Sequence, residues 1–187
     1  YEYSVRGYLG GALSEPTRAR TFAGLVSCHL EEDFESGTDD LLLTGTWALT
    51  ASRASQGTFS LTDSPPGNYG NNRHWPAAIA PPGELLLLPT LQFDHICITE
   101  AGYDFGYVEL STDFGTTWTV LASYDLSSYP QWEDGVADPG DWVHESLDLE
   151  PYLGEKVRIR FRLFSDQFLT YDGWYIDDVR LYDPECE

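Results

Sequence analysis

Apolar and polar residues alternate with a period of two along most of the chain. In EKVRIRFRLF, Val157, Ile159, Phe161 and Leu163 fall on one side and Arg158, Arg160 and Arg162 on the other, which is the pattern of a strand with one buried face. GYVELST sets Val108 and Leu110 against Tyr107, Glu109 and Ser111. TWTVLAS, WVHESLDL and GWYIDDVRLYD read the same way, and LLLTGTWALT, GTFSLT and LQFDHICIT add further strands. Clusters of Gly, Pro, Asn and Asp divide them, as in TDSPPGNYGNN, APPGE and DGVADPGD. At least eight short strands with turn signals, and no long amphipathic helix, predict an all-β antiparallel sandwich or barrel. A short helical piece is expected near PTRARTFAGLVS. Residues 1–30 have weak periodicity and read as an arm or a segment from an upstream domain, with the compact domain over residues 31–187.

STDFGTTW, residues 111 to 118, interrupts two strand-like runs. A carboxylate at a tight turn accepts hydrogen bonds from backbone N–H groups just ahead of it, and Gly115 supplies a positive φ at low steric cost. Trp118 opens the returning strand. These eight residues therefore read as a hairpin fastening rather than a catalytic centre.

Charge narrows the possible partners. There are 31 acidic residues against 10 basic ones, a formal net charge of -21, and Lys156 is the only lysine. Phosphate neutralisation needs clustered Lys and Arg, so nucleic acid is excluded as a partner, and anionic membrane surfaces are disfavoured. ELLLLPTLQF is interrupted by proline and falls short of the roughly 20 apolar residues that span a bilayer, so no membrane insertion is expected. So many carboxylates serve solubility or converge on a cation. Apolar residues are 42% of the chain, enough to bury a full core. The chain starts at Tyr1 and is expected to be a portion of a larger protein.

The three cysteines fit no zinc spacing. Cys97 reads as a buried thiol in a core strand. Cys28 and Cys186 bracket most of the chain, and would form a disulfide if the first and last strands are neighbours. A loop that long contributes about 4–5 kcal/mol through the unfolded state and implies an oxidising compartment.

Enzyme motifs are missing. There is no His-Glu-x-x-His, Gly-x-Ser-x-Gly or phosphate-binding glycine loop, and His29, His74, His95 and His144 are scattered. His95 reads as a satisfied core histidine. YDLSSYPQWEDGVADPGDW carries Tyr124, Tyr129, Trp132 and Trp142 among polar residues. Aromatics on the rim of a sandwich stack on sugar rings or anchor a protein partner, so Tyr124, Tyr129 and Trp132 are candidate ligand contacts. The alternative is that the tryptophans fold inward. The arginine row of VRIRFRL offers a ligand face, or else pairs with acids on neighbouring strands.

Ser-x-Asp-x-Gly-x-Thr-Trp matches the aspartate box of sialidases and many secreted β domains. GWYIDDVRLYD resembles the closing strand of MAM domains, reelin repeats and the C-terminal domains of immune-inhibitor-A type secreted metalloproteases. TDSPPGNYGNN, then LQFDHICITEAGYDFGYVELSTDFGTTW, resembles the middle of that metalloprotease-associated domain, and DFESG fits its opening strand. The resemblance spans roughly residues 33 to 183, without the MAM cysteine set. It implies a calcium-bearing β-sandwich of jelly-roll type.

In a jelly roll the first and last strands lie side by side. Asp33 and Glu35, sharing one face of DFESG, would then approach Asp177 and Asp178, one of which must face inward. An inward aspartate is costly unless a cation or several donors satisfy it. Asp63 and Asn72, with Glu100 and Asp104 of TEAGYD, are further calcium candidates, and the alternative is that Asp177 or Asp178 caps a turn or pairs with an arginine. The chain is thus expected to be a non-catalytic, calcium-stabilised accessory or recognition module, secreted or at the cell surface, contacting adjacent domains and a glycan or extracellular protein. The alternative is a carbohydrate-binding module that uses loop aromatics.

Overall fold

The computed structural model describes residues 2–5, 8–9, 12–13, 17–20, 30–38, 41–79 and 90–182. Four short strands come first: β1 (Glu2–Val5), β2 (Tyr8–Leu9), β3 (Ala12–Leu13) and β4 (Thr17–Arg20), with β1 paired to β4 and β2 to β3. The helix expected near PTRARTFAGLVS does not include Thr17–Arg20. Thr17–Arg20 is extended because it pairs with β1, and residues 21–27 lie outside the described ones.

The sandwich is built from β5 (Leu30–Glu32), β6 (Leu41–Leu43), β7 (Ala48–Thr50), β8 (Ser60–Thr62), β9 (His74–Ile79), β10 (Thr90–Ile98), β11 (Phe105–Ser111), β12 (Thr119–Tyr124), β13 (Val143–Asp148), β14 (Arg158–Phe164) and β15 (Gly173–Tyr182). One sheet runs β13-β10-β15-β8-β7, with β5 also paired to β15; the other runs β12-β11-β14-β9-β6. All pairings are antiparallel, which makes this an antiparallel β-sandwich of jelly-roll type. Among the described residues the only helical pieces are two single 3₁₀ turns, Pro130–Trp132 and Glu150–Tyr152. Among the described residues no helix is long and apolar enough to cross a membrane.

Three segments depart from simple alternation. LLLTGTWALT is two strands, not one. Its chain turns at Gly45, with φ of +64°, and passes from the five-stranded sheet to the other one. A side chain at Gly45 would run into the Trp75 ring. HWPAAI is a strand although Pro76 sits within it. The short edge strand β6 pairs only with Ala77, Ala78 and Ile79, so the proline stands where that edge has ended. In β15, Asp178 takes a left-handed φ of +48° and the register with β10 shifts. This bulge lets Ile176, Asp177 and Val179 all be buried.

The core fills the space between the inner faces: Leu91, Phe93 and Cys97 of β10, Trp174 and Ile176 of β15, Val108 and Leu110 of β11, and Ile159, Phe161 and Leu163 of β14. Aromatic edges meet faces throughout, with Phe93 5.3 Å from Phe161 and Trp174 5.5 Å from Phe161. Each buried indole N–H has an acceptor: Trp47 to the Trp75 carbonyl, Trp132 to the Asp141 carbonyl and Trp174 to His95 Nδ1. Trp174 lies flat on Gly106, where an added methyl would come within 2.6 Å of the ring. Gly106→Ala is expected to lower stability by about 1–3 kcal/mol, read as a drop in the urea midpoint at unchanged slope.

Candidate functional site

The outward face of the five-stranded sheet carries a ladder of guanidinium groups and rings. Alternation in β14 turns Arg158, Arg160 and Arg162 out while Ile159, Phe161 and Leu163 turn in. Arg162 lies 4.4 Å over the Tyr107 ring and Arg160 4.0 Å over Trp118, with Arg158 6.0 Å from Phe114. Tyr107, Phe164 and His74 continue the row as half-buried or exposed rings. Beneath it sits Glu109, only 4% exposed. Its Oε2 accepts from Arg160 Nε at 2.6 Å and Arg162 Nε at 3.0 Å, and its Oε1 from Arg162 Nη2 at 2.8 Å. Burial opposes the charge on Glu109, but the bonds from Arg162 and Arg160 outweigh it and hold its carboxyl below the usual range. Arg160 and Arg162 are therefore both paired with an acid and stacked.

The neighbouring turn is a closed hydrogen-bond circuit. Asp113 Oδ1 accepts from Thr117 N–H and from the Ser111 hydroxyl, both at 2.8 Å, and Oδ2 from the Thr117 hydroxyl at 2.7 Å. Ser111 Oγ in turn accepts from Gly115 N–H, and the Trp118 indole donates to the Gly115 carbonyl. The Thr117 N–H, then its hydroxyl and that of Ser111, hold the Asp113 carboxyl down to about 2. Phe114 and Gly115 both have positive φ. These groups shape the hairpin and present Trp118 to Arg160.

The loop aromatics are corrected as ligand contacts. Trp132 is 0% exposed and Tyr124 7%, so neither offers a ring face to solvent. Tyr129 is half-buried, and its hydroxyl donates to Glu145. The cause is His95, fully buried 5.0 Å from the Trp132 ring and 4.4 Å from Tyr124. The rings fold inward to cover it. His95 Nε2 points to Glu145 at 3.4 Å. Burial lowers the pKa of His95, which stays neutral near pH 7.

The strand-end acids do not share a face as expected. Asp33 and Glu35 lie in a turn past β5, where Phe34 takes a φ of +60° and buries its ring. Asp33 Oδ1 caps the Glu35 N–H. Glu35 Oε1 accepts from Thr58 and Phe59 N–H, both at 2.7 Å. Asp177, 0% exposed, accepts from Ser55, Gln56 and Asp178 N–H. Its pKa is raised by burial in spite of these donors. Asp178 pairs with Arg180 Nη2 at 2.9 Å. Backbone donors and an arginine thus serve the four strand-end acids.

Elsewhere three acids do converge. Single carboxylate oxygens of Glu100, Asp104 and Asp166 lie within 4.8 Å of one another. Glu100 and Asp104 come from the turn between β10 and β11. Asp166 comes from the loop after β14 and carried no motif of its own in the sequence. Asn72, exposed with φ of +57°, donates its backbone N–H to the Asp166 carbonyl at 2.6 Å. Asp63 stands apart from the trio. It is 1% exposed, Oδ1 accepts from Trp174 N–H at 2.7 Å, and Oδ2 has no hydrogen-bond partner among the described residues. Cys97 is a buried free thiol. Cys28 and Cys186, the expected disulfide, lie outside the described residues.

No family model matches the chain. It is 25% identical over 198 residues to bacillopeptidase F of Bacillus subtilis (strain 168), a match that covers 100% of this chain and 13% of that protein. The K1 cleaved adhesin domain of Lys-gingipain from Porphyromonas gingivalis W83 superposes with a TM-score of 0.57 at 17% identity, over 82% of this chain and 96% of that domain. The K2 cleaved adhesin domain of Lys-gingipain does so with a TM-score of 0.55 at 16% identity, over 83% and 99%. The chain thus shares its β-sandwich fold with adhesin domains.

Asp63 generates a pH prediction. Burial pushes its carboxyl from an ordinary 3.8 up to about 7. A carboxyl raised on folding contributes stability that is fully present below pH 4 and lost as pH rises through 7, because the folded state binds the proton more tightly. Relative to Asp63→Asn, the unsubstituted protein should lose on the order of 4 kcal/mol between those limits. Urea midpoints of both proteins at pH 4 to 8 check this; parallel profiles would refute it.

Proposed function

We propose that the chain is a non-catalytic extracellular module of a longer secreted or surface protein, serving recognition beside other domains. Its contact surface in this reading is the outward face of the five-stranded sheet. The carrying observation is the ladder of Arg158, Arg160 and Arg162 over Phe114, Trp118 and Tyr107, with Arg160 and Arg162 locked from below by Glu109. A guanidinium already stacked and hydrogen-bonded loses little freedom on binding. Its remaining N–H donors match carboxylate or sulfate groups in pairs. A cationic row on a chain of net charge -21 selects an anionic extracellular polymer.

Two likenesses support the reading. Solved domains that share the fold include adhesin domains by title. Bacillopeptidase F is far longer than this stretch, as expected if the stretch accompanies a peptidase without performing its chemistry. The resemblance to accessory domains of secreted metalloproteases points the same way. Carbohydrate recognition is the second reading, because Tyr107, Phe164 and His74 form a ring row on the same face.

Affinity electrophoresis against acidic and neutral polysaccharides tests both. Retardation by an acidic polysaccharide is expected, with a loss of about tenfold, or 1.4 kcal/mol, in Arg158→Glu at unchanged melting temperature. Binding to neutral glycans that ignores Arg158→Glu but fails in Tyr107→Ala would favour sugar stacking. Binding to neither class would remove the glycan reading from this face.

A further inference from the structure

We propose that the hairpin of residues 111–118 makes the arginine face selective for anions carried on sugar rings, with Phe114 as the stacking platform and Arg158 as the fork that takes the anionic group beside it. The inference rests on the anion-binding reading of that face and names the class of polymer it selects.

Phe114 is costly where it stands. It has a φ of +60° and is 68% exposed. A left-handed φ strains a bulky side chain, and glycine, asparagine or aspartate meets the same need at less cost. Phe34 has the same φ of +60°, but its ring is 0% exposed, so burial offsets the strain there. Phe114 gains no comparable burial. Strained residues of this kind persist at ligand clamps, where the conformation serves binding.

The strained backbone is clamped from both sides. The N–H groups of Asp113 and Gly115, which flank Phe114, both donate to Ser111 Oγ, at 3.3 and 2.8 Å. Thr116 returns both its N–H and its hydroxyl to the Asp113 carbonyl, at 3.3 and 3.0 Å. Together with the bonds that Asp113 Oδ1 accepts from Ser111 and Thr117, these set the backbone under the ring before a ligand arrives.

Arg158 completes the site. Its guanidinium lies 6.0 Å from the Phe114 ring centre. Gly115 sits beneath both neighbours: a Cβ there would stand 3.3 Å from the Trp118 ring and 3.8 Å from Arg158 Nη1. Among the described residues Arg158 makes no ion pair, whereas Arg160 and Arg162 are committed to Glu109. Its N–H donors are therefore open to an oxyanion. Thr112 and Thr116, two positions to either side of Phe114, are exposed.

These groups match one ligand chemistry. An acidic pyranose has an apolar face of C–H bonds, a rim of hydroxyls and a charged group at its edge. The first packs on an aromatic ring, the second meets threonine hydroxyls, and the third fits the arginine fork. An acidic peptide offers the charge without the ring face, so it gains from the arginines alone.

The test is affinity electrophoresis of the whole chain against polygalacturonate and against poly-L-glutamate, a carboxylate polymer without rings. Polygalacturonate should be held about tenfold more tightly. Phe114→Gly should remove that preference, while Phe114→Tyr keeps it. Phe114→Gly should also melt at or above the unsubstituted protein, because glycine accepts the left-handed φ; a merely structural ring would give a lower melting temperature and an unchanged preference. Arg158→Glu should weaken binding of both polymers. Equal binding of the two polymers, or a preference that survives Phe114→Gly, overturns this inference and leaves the arginine face as an anion site. Binding to neither polymer overturns both readings.

Discussion

Trp174 joins the two sheets, and the rest of the molecule is arranged to admit it. It projects from β15 into the space that Gly106 of the opposite sheet leaves open, and its ring meets Phe161 and Trp47. Both of its donors are committed: the backbone N–H to Asp63 and the indole N–H to His95 Nδ1. An indole can only donate, so Nδ1 of the neutral imidazole is bare and its proton sits on Nε2. That proton faces Glu145, which also accepts from Tyr129. One buried indole therefore orders a chain of contacts from the centre of the core to the rim of the first sheet. Burial works against the charge on Glu145, while His95 and Tyr129 together hold its carboxyl low.

The acids in this chain fall into two groups by the way they are satisfied. Asp33, Glu35, Asp113 and Asp177 each collect backbone N–H donors, the cheapest source of partial positive charge in a protein poor in lysine. Glu109 takes two arginines instead. Asp104 and Asp166 also accept backbone N–H groups, from Asp166 and Phe168, while Glu100 Oε2 has no hydrogen-bond donor among the described residues.

Alternation made most of the sandwich legible. The inner and outer faces of β11 and β14 were readable residue by residue, because a one-residue slip would have turned every arginine into the core. DFESG was misread as a strand because nothing in its composition signals that Phe34 adopts a left-handed φ. Pro76 hid β9, and the turn at Gly45 divided LLLTGTWALT into two strands. The candidate sites were harder. Trp132 and Tyr124 lie in a polar segment, yet a buried histidine needs covering and their polar tips find partners inside. Asp166 reaches Asp104 across 62 positions of sequence, and only the pairing of β11 with β14 brings them together.

The arginine face also has a kinetic side. It is a small positive strip on a body of formal charge -21. An approaching polyanion is repelled at long range and attracted only within about a Debye length, some 8 Å at physiological ionic strength. Moderate salt therefore shortens the reach of the repulsion before it weakens contacts made on the strip itself. Encounter would be faster in saline surroundings than in dilute buffer, the reverse of the usual behaviour of oppositely charged partners. For the polyanion proposed above, salt would act on the rate of encounter rather than on the contacts made at the strip.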